Sequence, residues 1–455
     1  MTIVRETTMH QTPPRRRRSY GLGLALLVAA GAVTGMARAE TPAGESAKAP
    51  RLLPICAGKS YDSACGLLRR DGTWAVTPRY GALYARDDGW RFMQDGRSGL
   101  LDPDGKPWLD ARYKFIGAFH DERAKASSST GNYGYIDRQG QWIVEPTYLI
   151  AKSMHDGLAP VCKSGREDGD SGLRCHYIDR DGKRAFDGDF ADAEPFEHGV
   201  AVVQPIGSNT ISLDGRRIGV IDTEGHMRID YAARNALSVV GPDRIIEATP
   251  ERYALIDFND KTLFRVSHDG VLRDASPTLM TYRKLPGQHY GLRNKATTDV
   301  VVAPENGYAS WPVFEHGTAT ARSAGDHGRL NAMLIDTQGN VLIEPGQYNG
   351  IGPFYEGVGP VSAKRYEWQL VTIDGEKLTD AVFRQIEPAW QSAPQTRRTG
   401  DVWEAVPIDA PGDHVWLDNR GQTIARVTEL DCGVEIVKNG DGQRIWPKQL
   451  DEKCE

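Results

Sequence analysis

The stretch YGYIDRQGQWIVEPTYLIAKSMHDGLAPV, residues Tyr133–Val161, returns near the C-terminus as AMLIDTQGNVLIEPGQYNGIGPFYEGVGPV, residues Ala332–Val361. Both copies contain an apolar-Ile-Asp-x-x-Gly segment, an apolar run that ends in Glu-Pro, a Tyr, and a Gly followed by a run that ends in Val. Two such similar stretches far apart indicate an internal repeat. A repeat of this kind is typical of proteins built from stacked supersecondary units.

Each copy predicts a β-hairpin followed by a third strand. The alternating apolar-x-Ile-Asp segment is typical of a half-buried strand. In the Asp-x-x-Gly turn we expect the Asp side chain to cap the turn amides and the Gly to take the positive-φ position. Proline is expected to end the second strand, because it cannot donate a hydrogen bond to the ladder. One hairpin and one strand cannot bury an apolar face alone, so neighbouring units must stack.

The Asp-x-x-Gly turn recurs and gives about ten imperfect units over residues 66–430. Its glycines are Gly72, Gly105, Gly140, Gly182, Gly225, Gly339, Gly375 and Gly421. The aspartates expected to cap the turns are Asp102, Asp137, Asp179, Asp222, Asp257, Asp336, Asp374 and Asp418. The sequence therefore predicts an all-β tandem β-hairpin repeat array, an open curved or superhelical solenoid. A β-propeller is the alternative, against which unequal unit lengths and three strands per unit count.

Residues 1–39 have the parts of a secretory signal peptide. Arg15–Arg18 form a positive segment, Gly21–Met36 form an apolar run of small residues, and Ala37–Ala39 form an A-x-A cleavage site. A retained membrane anchor is the alternative, but the apolar run is shorter than the ~18–20 residues of a spanning helix. Residues 40–51 are expected to form a disordered linker. These features predict a periplasmic or secreted protein.

The charge balance excludes two classes of partner. Residues 1–39 hold six Arg and one Glu, so the rest of the chain has 49 basic and 60 acidic residues and a net charge of −11. Nucleic acids and anionic lipid surfaces both require a basic footprint on the protein. We therefore expect no nucleic-acid partner and, after cleavage of the signal peptide, no membrane insertion.

Six cysteines fit an exported protein. They form three sequence-local pairs, Cys56/Cys65, Cys162/Cys175 and Cys432/Cys454. Six cysteines allow fifteen connectivities, but disulfides between nearest neighbours are expected because they close short loops in an oxidising compartment. Metal binding is the competing interpretation, and it lacks a C-x-x-C motif or a clustered His. The outer pairs suggest an N-terminal clip, residues 52–65, and a C-terminal cap, residues 431–455.

The repeat resembles the WG repeat of bacterial proteins, whose unit reads roughly W/Y-G-[YFL]-I-D-x-x-G, then V-I-x-P-x-Y, then F-x-x-G-x-A-x-V. The clearest matches are Tyr133–Asp137, Gly140, Ile143, Val144, Pro146, Tyr148 and Gly157–Ala159, and again Leu334–Asp336, Gly339, Leu342, Ile343, Pro345, Tyr348, Phe354, Gly357 and Val361. Tyr-Gly or Cys-His replaces the literal Trp-Gly opening. The resemblance implies a non-catalytic repeat protein, and the family has no general catalytic residues to transfer.

Short enzyme motifs are absent from the sequence, including G-x-S-x-G, H-E-x-x-H and G-x-x-x-x-G-K-[ST]. A carboxylate-based site has no short signature, so a glycan hydrolase stays a lesser hypothesis. His198 and His316 both lie in Phe-Glu-His-Gly, which is a turn of the repeat, so a structural role is expected. Calcium binding by the turn aspartates, or by Asp168 with Asp170 or Asp187 with Asp189, is a weaker interpretation than capping, because the twelve-residue calcium loop is missing.

Aromatic residues are the remaining candidates for a recognition surface, since Trp and Tyr faces suit binding. Five aromatics in phase with the repeat are expected in the core: Trp74, Trp142, Tyr148, Tyr348 and Trp416. Five tryptophans out of phase are expected to be exposed and to bind: Trp90, Trp311, Trp368, Trp390 and Trp403.

From the sequence we expect an exported, non-catalytic repeat protein without a cofactor or metal site. Repeat arrays offer long surfaces and edge strands, so a protein-binding or scaffolding role in the bacterial cell envelope is the leading hypothesis. Binding of envelope glycan through the five out-of-phase tryptophans is the alternative. The sequence does not identify the partner.

Overall fold

The computed structural model describes residues 52–58, 64–86, 88–165, 172–207, 216–325, 329–389 and 401–450, together with Glu452 and Cys454. Strands dominate these residues, interrupted by a short 3₁₀ turn, Pro304–Asn306. The all-β prediction is confirmed. The predicted signal peptide and linker lie outside the described residues.

Strands pair antiparallel with their neighbours in sequence, so every sheet is a meander. Eight hydrogen-bonded sheets are described, and two of them are each held together at one point by a single residue pair, Cys175 with Phe190 and Trp368 with Phe383. Divided at these two pairs, the described chain gives ten sheets, which we number in chain order.

Sheet 1 contains β1 (Leu52–Ala57), β2 (Ala64–Arg69) and β3 (Trp74–Tyr80). Sheet 2 contains β4 (Ala82–Arg86), β5 (Gly89–Gln94), β6 (Arg97–Leu101) and β7 (Pro107–Tyr113). Sheet 3 contains β8 (Phe115–His120), β9 (Arg123–Ser127), β10 (Tyr133–Ile136) and β11 (Trp142–Tyr148). Sheet 4 contains β12 (Ile150–Ala151), β13 (Ala159–Ser164) and β14 (Leu173–Ile178). Sheet 5 contains β15 (Phe190–Ala193), β16 (Val200–Pro205), β17 (Arg217–Asp222) and β18 (Met227–Ala233).

Sheet 6 contains β19 (Ala236–Gly241), β20 (Arg244–Ala248), β21 (Arg252–Ile256) and β22 (Thr262–Ser267). Sheet 7 contains β23 (Val271–Asp274), β24 (Leu279–Arg283), β25 (Gly291–Asn294) and β26 (Val300–Val302). Sheet 8 contains β27 (Thr318–Ala324), β28 (Leu330–Asp336) and β29 (Val341–Ile343). Sheet 9 contains β30 (Gly350–Ile351), β31 (Val358–Lys364) and β32 (Glu367–Thr372). Sheet 10 contains β33 (Phe383–Pro388), β34 (Val402–Pro407), β35 (His414–Asp418), β36 (Thr423–Glu429), β37 (Glu435–Asn439) and β38 (Arg444–Trp446).

The Asp-x-x-Gly turns follow the predicted chemistry. Asp137 Oδ1 accepts hydrogen bonds from the amides of Gln139 and Gln141 at 3.0 and 2.8 Å, and Gly140 has φ +75°. A Cβ on Gly140 would lie 2.7 Å from the Arg112 side chain of the preceding sheet. Glycine is therefore favoured by the backbone conformation and by the close approach of the preceding sheet. The same double capping occurs at Asp102, Asp179, Asp222, Asp257, Asp336 and Asp418.

One predicted cap is wrong. Asp374 directly precedes Gly375, so it cannot stand three residues before the turn glycine. Thr372 takes that place: its hydroxyl accepts a hydrogen bond from the Glu376 amide at 3.1 Å, and its carbonyl accepts one from the Gly375 amide at 2.9 Å.

Proline does not always end the second hairpin strand, contrary to the prediction. Pro146 lies inside β11, where the pairing with β10 shifts register between Val144 and Tyr148. A register shift leaves a residue without a ladder hydrogen bond, so proline is tolerated there.

The chain passes from one sheet to the next through bent strands. Tyr113 ends β7 and Phe115 begins β8, and the amide of Lys114 between them already bonds to the Ser127 carbonyl of sheet 3 at 3.0 Å. Gly81 and Leu149 make the same connection elsewhere. The sequence unit Tyr133–Val161 therefore spans two sheets, because its third strand pairs with the hairpin of the following unit.

The apolar core lies between consecutive sheets. Leu100, Leu109 and Tyr113 of sheet 2 pack against Ile116 and Ala126 of sheet 3, and similar clusters follow along the chain. Each fully buried side chain of this size contributes on the order of 1.5–3 kcal/mol to folding. Stacking thus supplies the burial that a single sheet cannot.

The first and last sheets share one of these cores. Leu53 of β1 packs in one cluster with Val437 of β37, and the Gly58 amide donates a hydrogen bond to the Glu435 carboxylate at 2.6 Å. The predicted N-terminal clip and C-terminal cap therefore meet each other.

The contact between sheets 10 and 1 has the same geometry as the contact between other consecutive sheets. Asp121, in the turn after the first strand of sheet 3, lies 3.6 Å from Arg180 in the Asp-x-x-Gly turn of sheet 4. Asp401, in the same turn of sheet 10, lies 2.9 Å from Arg70 in the corresponding turn of sheet 1. Sheet 1 follows sheet 10 as sheet 4 follows sheet 3, so the array closes on itself.

Closure favours the propeller-like arrangement that the sequence left as the alternative. Two arguments for the open array do not hold. Sheets 2, 3, 5, 6 and 7 have four strands where three were expected. The unequal unit lengths are taken up outside the strands, as in residues 179–189 between β14 and β15.

The three predicted disulfides are confirmed: Cys56–Cys65, Cys162–Cys175 and Cys432–Cys454. The first two connect residues that face each other on neighbouring strands. Disulfides of this kind fit a secreted or periplasmic protein. Within the described parts of the chain, no helix has the length and apolar character needed to cross a membrane.

Candidate functional site

The five tryptophans predicted as a surface do not form one. Trp90 and Trp403 are fully buried, so the prediction that they are exposed is wrong. Trp368 is half-buried, and Trp390 lies outside the described residues. Trp311 is exposed at 45% of its surface. Of the five, Trp311 alone is described as exposed.

Trp90 and Trp403 are buried because of their place in the repeat. Each pairs with the residue before the turn Asp, Trp90 with Leu101 and Trp403 with Leu417. The equivalent position in other sheets holds a buried alanine, at Ala124, Ala159, Ala201 and Ala319. The sequence did carry a signal for this burial. The residue that pairs with the apolar residue before the turn Asp lies at the buried position, whichever side chain it has.

The aromatics predicted for the core agree better with the structure. Tyr148 and Trp416 are buried, and Trp74, Trp142 and Tyr348 are half-buried. The Trp74 indole N–H donates to the Ile445 carbonyl at 3.1 Å, across the closure between the two ends of the chain.

Trp311 forms one wall of a groove between sheets 8 and 9, which we call the Trp311 groove. It has a volume of about 230 Å³. Its lining residues are Trp311, Val313, Glu315, Thr318, Ala319, Thr320, Leu334, Ile351, Gly352, Pro353 and Phe354. The lining combines aromatic and apolar side chains with Thr318, Thr320 and the Glu315 carboxylate, so a ligand could make both apolar and polar contacts there.

Neighbouring side chains hold the walls in place. The Trp311 ring meets Tyr290 edge to face at 5.9 Å, and the Arg273 guanidinium lies 4.8 Å from the Trp311 ring centroid. At the other side, the Tyr355 hydroxyl donates to Glu315 Oε2 at 2.8 Å. The indole and the carboxylate are therefore both fixed by residues outside the groove.

One strand position decides how full such grooves are. We call it the spanning position, and it is the residue whose strand partner lies two positions before the residue that caps the turn. The residues in the spanning position are Arg91, Lys125, Pro160, Val202, Ile246, Thr281, Thr320, Pro360 and Glu404. Several of these side chains reach the first strand of the following sheet or the segment that leads into it. Lys125 Nζ donates to the Ala151 carbonyl at 3.3 Å, and Thr281 Oγ1 donates to the Pro312 carbonyl at 3.2 Å.

The spanning residue of the Trp311 groove, Thr320, has a short side chain. Thr320 Oγ1 donates to the Gly352 carbonyl at 3.3 Å, so it follows the same pattern without filling the space. A second groove of about 100 Å³ lies between sheets 5 and 6, where Val202 has the spanning position. Long side chains such as Arg91 occupy the corresponding space elsewhere.

The histidines of the Phe-Glu-His-Gly turns have a backbone role. His198 and His316 adopt φ values of +56° and +50°, as Asp156 and Glu356 do in equivalent turns. Asp222, Glu224 and His226 bring three potential metal-ligand atoms within 4.8 Å of one another. Asp222 Oδ1 there accepts the Glu224 and His226 amides, so the cluster has the geometry of an ordinary repeat turn.

Comparisons with known proteins agree with the repeat architecture. The family model described as "WG containing repeat" matches residues 99–127, 133–166 and 333–368. The chain is similar to the solved structure of BamB from Moraxella catarrhalis, at 15% identity and a TM-score of 0.30, over 66% of this chain and 95% of that one. It is also similar to Kluyveromyces lactis Hsv2, at 9% identity and a TM-score of 0.29, over 62% of this chain and 94% of that one. No curated protein matches the chain. Three segments of this chain therefore match the WG repeat.

Proposed function

We propose that this chain is an exported, non-catalytic repeat protein that binds another envelope or secreted protein through the Trp311 groove. The observation that carries the proposal is the exposed Trp311 indole over an apolar groove of about 230 Å³, with Glu315 at its wall. Tryptophan pockets of this kind are typical anchor sites in protein interfaces. The ring of sheets would act as the rigid frame that presents this groove.

Site-specific photo-crosslinking tests the proposal. Glu356 is exposed in the turn that follows the groove residue Phe354, and Tyr366 is exposed at the opposite end of the same sheet. We would place a benzoylphenylalanine at either position and irradiate the protein in a cell-envelope extract. A discrete protein adduct from position 356 and none from position 366 is expected. The same adducts from both positions, or none from position 356, would contradict the proposal.

Glycan binding is the second candidate, and the exposed Trp311 beside Glu315 is the observation that favours it. An indole face and a carboxylate can stack on and hydrogen-bond to a sugar ring. The crosslinking experiment also separates this candidate, because an adduct that carries carbohydrate without protein would support glycan in place of a protein partner. The remaining tryptophans contribute no second exposed platform among the described residues.

A further inference from the structure

We propose that the Trp311 groove receives the cationic side chain of an arginine or lysine of the partner. This inference rests on the proposed function, because it specifies the chemistry that the same groove recognises. At two other places in the chain, a cationic side chain at the spanning position packs between consecutive sheets.

Arg91 fills the groove between sheets 2 and 3. Its guanidinium lies 4.4 Å from the Tyr84 ring centroid and 4.9 Å from the Phe115 ring centroid. Its Nη1 is 3.5 Å from the Ile116 carbonyl oxygen on the first strand of sheet 3. An aromatic wall and a carbonyl edge thus hold a cation in this groove.

Lys125 does the same between sheets 3 and 4. Its Nζ lies 5.8 Å from the Phe115 ring centroid and donates to the Ala151 carbonyl of the next sheet. The repeat therefore forms a cation site wherever the spanning residue is long and basic.

The Trp311 groove shares the spanning position and the carbonyl edge of this site, without the cation. Thr320 has the spanning position, and the carbonyls of Ile351 and Gly352 line the edge as those of Ile116 and Ala151 do in the filled grooves. Trp311 and Phe354 supply the aromatic surface.

Glu315 favours a cation in this groove, whereas the Arg273 guanidinium on the Trp311 ring opposes one. Glu315 adds a carboxylate to the lining, and a charge-assisted hydrogen bond to it is stronger than a neutral one. Arg273 lies over the Trp311 indole but does not line the groove, so a guanidinium already packs on this ring from outside. A tryptophan face is the best aromatic partner of a cation.

A titration of the full mature chain labelled with 5-fluorotryptophan tests the inference. The Trp311 resonance is assigned by comparison with Trp311→Phe. The probes are acetyl-Gly-Arg-Gly amide and the same peptide with citrulline, the neutral isostere of arginine. We expect the arginine peptide to shift the Trp311 resonance with an affinity at least about tenfold higher than that of the citrulline peptide. Equal responses, or no response of Trp311, would overturn the inference.

Thr320→Lys should fill the groove from within, as Lys125 fills its own, and abolish the response to the arginine peptide. Gln338→Lys, which adds the same charge at an exposed turn of sheet 8, is the matched control and should bind like the wild type. Glu315→Gln keeps the shape of the groove and should remove the preference for arginine over citrulline. Undiminished binding by folded Thr320→Lys, or an unchanged preference in Glu315→Gln, contradicts the inference.

The experiments can contradict the proposed function and the cation inference independently of each other. If position 356 crosslinks to a protein but the peptides are not distinguished, the groove binds a partner by other chemistry and only the cation inference fails. If arginine is selected but no protein is crosslinked, the proposed function fails and the cation site stands.

Discussion

Trp90 and Trp403 fill positions that hold alanine in other sheets, and each contributes the bulk of a cluster between two sheets. The Trp403 indole N–H donates to Asn419 Oδ1 at 2.8 Å, whereas the Trp90 N–H has no partner among the described residues. Their burial follows from pairing with the neighbouring strand, opposite the residue before the turn Asp. Trp311 belongs to an irregular segment beside β27, and its exposure agrees with the sequence prediction.

Replacing Trp90 by Ala should destabilise the protein by about 3–5 kcal/mol, because it leaves a cavity in a fully buried cluster. Trp90→Phe should cost less, since it keeps most of the ring and removes the unpaired N–H. Trp311→Ala should change the free energy of unfolding by less than about 1 kcal/mol. Urea denaturation of the three variants measures these differences, and a loss for Trp311→Ala as large as that for Trp90→Ala would refute the assignment of burial.

His414 offers a prediction for pH. Its Nδ1 lies 2.8 Å from Glu404 Oε1, and this hydrogen bond raises the pKa of His414 above its ordinary value. Because the folded-state pKa is the higher one, the stabilisation is fully present below the unfolded pKa of about 6.5 and is lost as pH rises through the folded pKa. An NMR titration should show Glu404→Gln lowering the pKa of His414, and an unchanged pKa would exclude Glu404 as the cause.

At the level of the element, the hairpin could be predicted from the sequence, but the residues at which its strands begin and end could not. Asp137, its turn amides and Gly140 form a local motif, so eight residues of sequence suffice to identify it. The bend at Lys114 depends on the sheet that follows, and the passage of β11 through Pro146 depends on a register shift with β10. The predicted sequence unit therefore has the wrong phase. The Trp311 groove could not be predicted from one unit either. It is recognised only when Thr320 is compared with Arg91 and Lys125, which have the equivalent position in other sheets.

The turns themselves allow a paired test. Asp137→Ala removes two hydrogen bonds to turn amides and should destabilise the protein by about 1–2 kcal/mol. Asp374→Ala should have an effect within about 0.5 kcal/mol, because Thr372 caps that turn. Thermal unfolding distinguishes the two, and equal losses would mean that Asp374 contributes to its turn after all.

At the scale of the molecule, a stacked array of about ten units was predicted from the repeat, and its closure was left as the alternative. The spacing of the turn glycines gives the number of units, but no local pattern shows that Leu53 packs with Val437. Closure gives the first sheet the neighbour that an open end would lack, and it holds the two sheets around the Trp311 groove within a continuous ring. Terminal sheets in an open array would expose these apolar faces to water.

The central claim is that sheet 1 follows sheet 10 as any sheet follows the one before it. Spin labels on cysteines at Asp71 and Arg420 would measure it, with labels at Asp104 and Gln139 as the matched pair, because all four residues are exposed and occupy equivalent places in their turns. The native cysteines are held in disulfides and do not compete for the label. The account predicts one narrow distance distribution for both pairs, with the same mean. A broad distribution at much longer distances for Asp71 and Arg420 alone would show an open array and contradict the account.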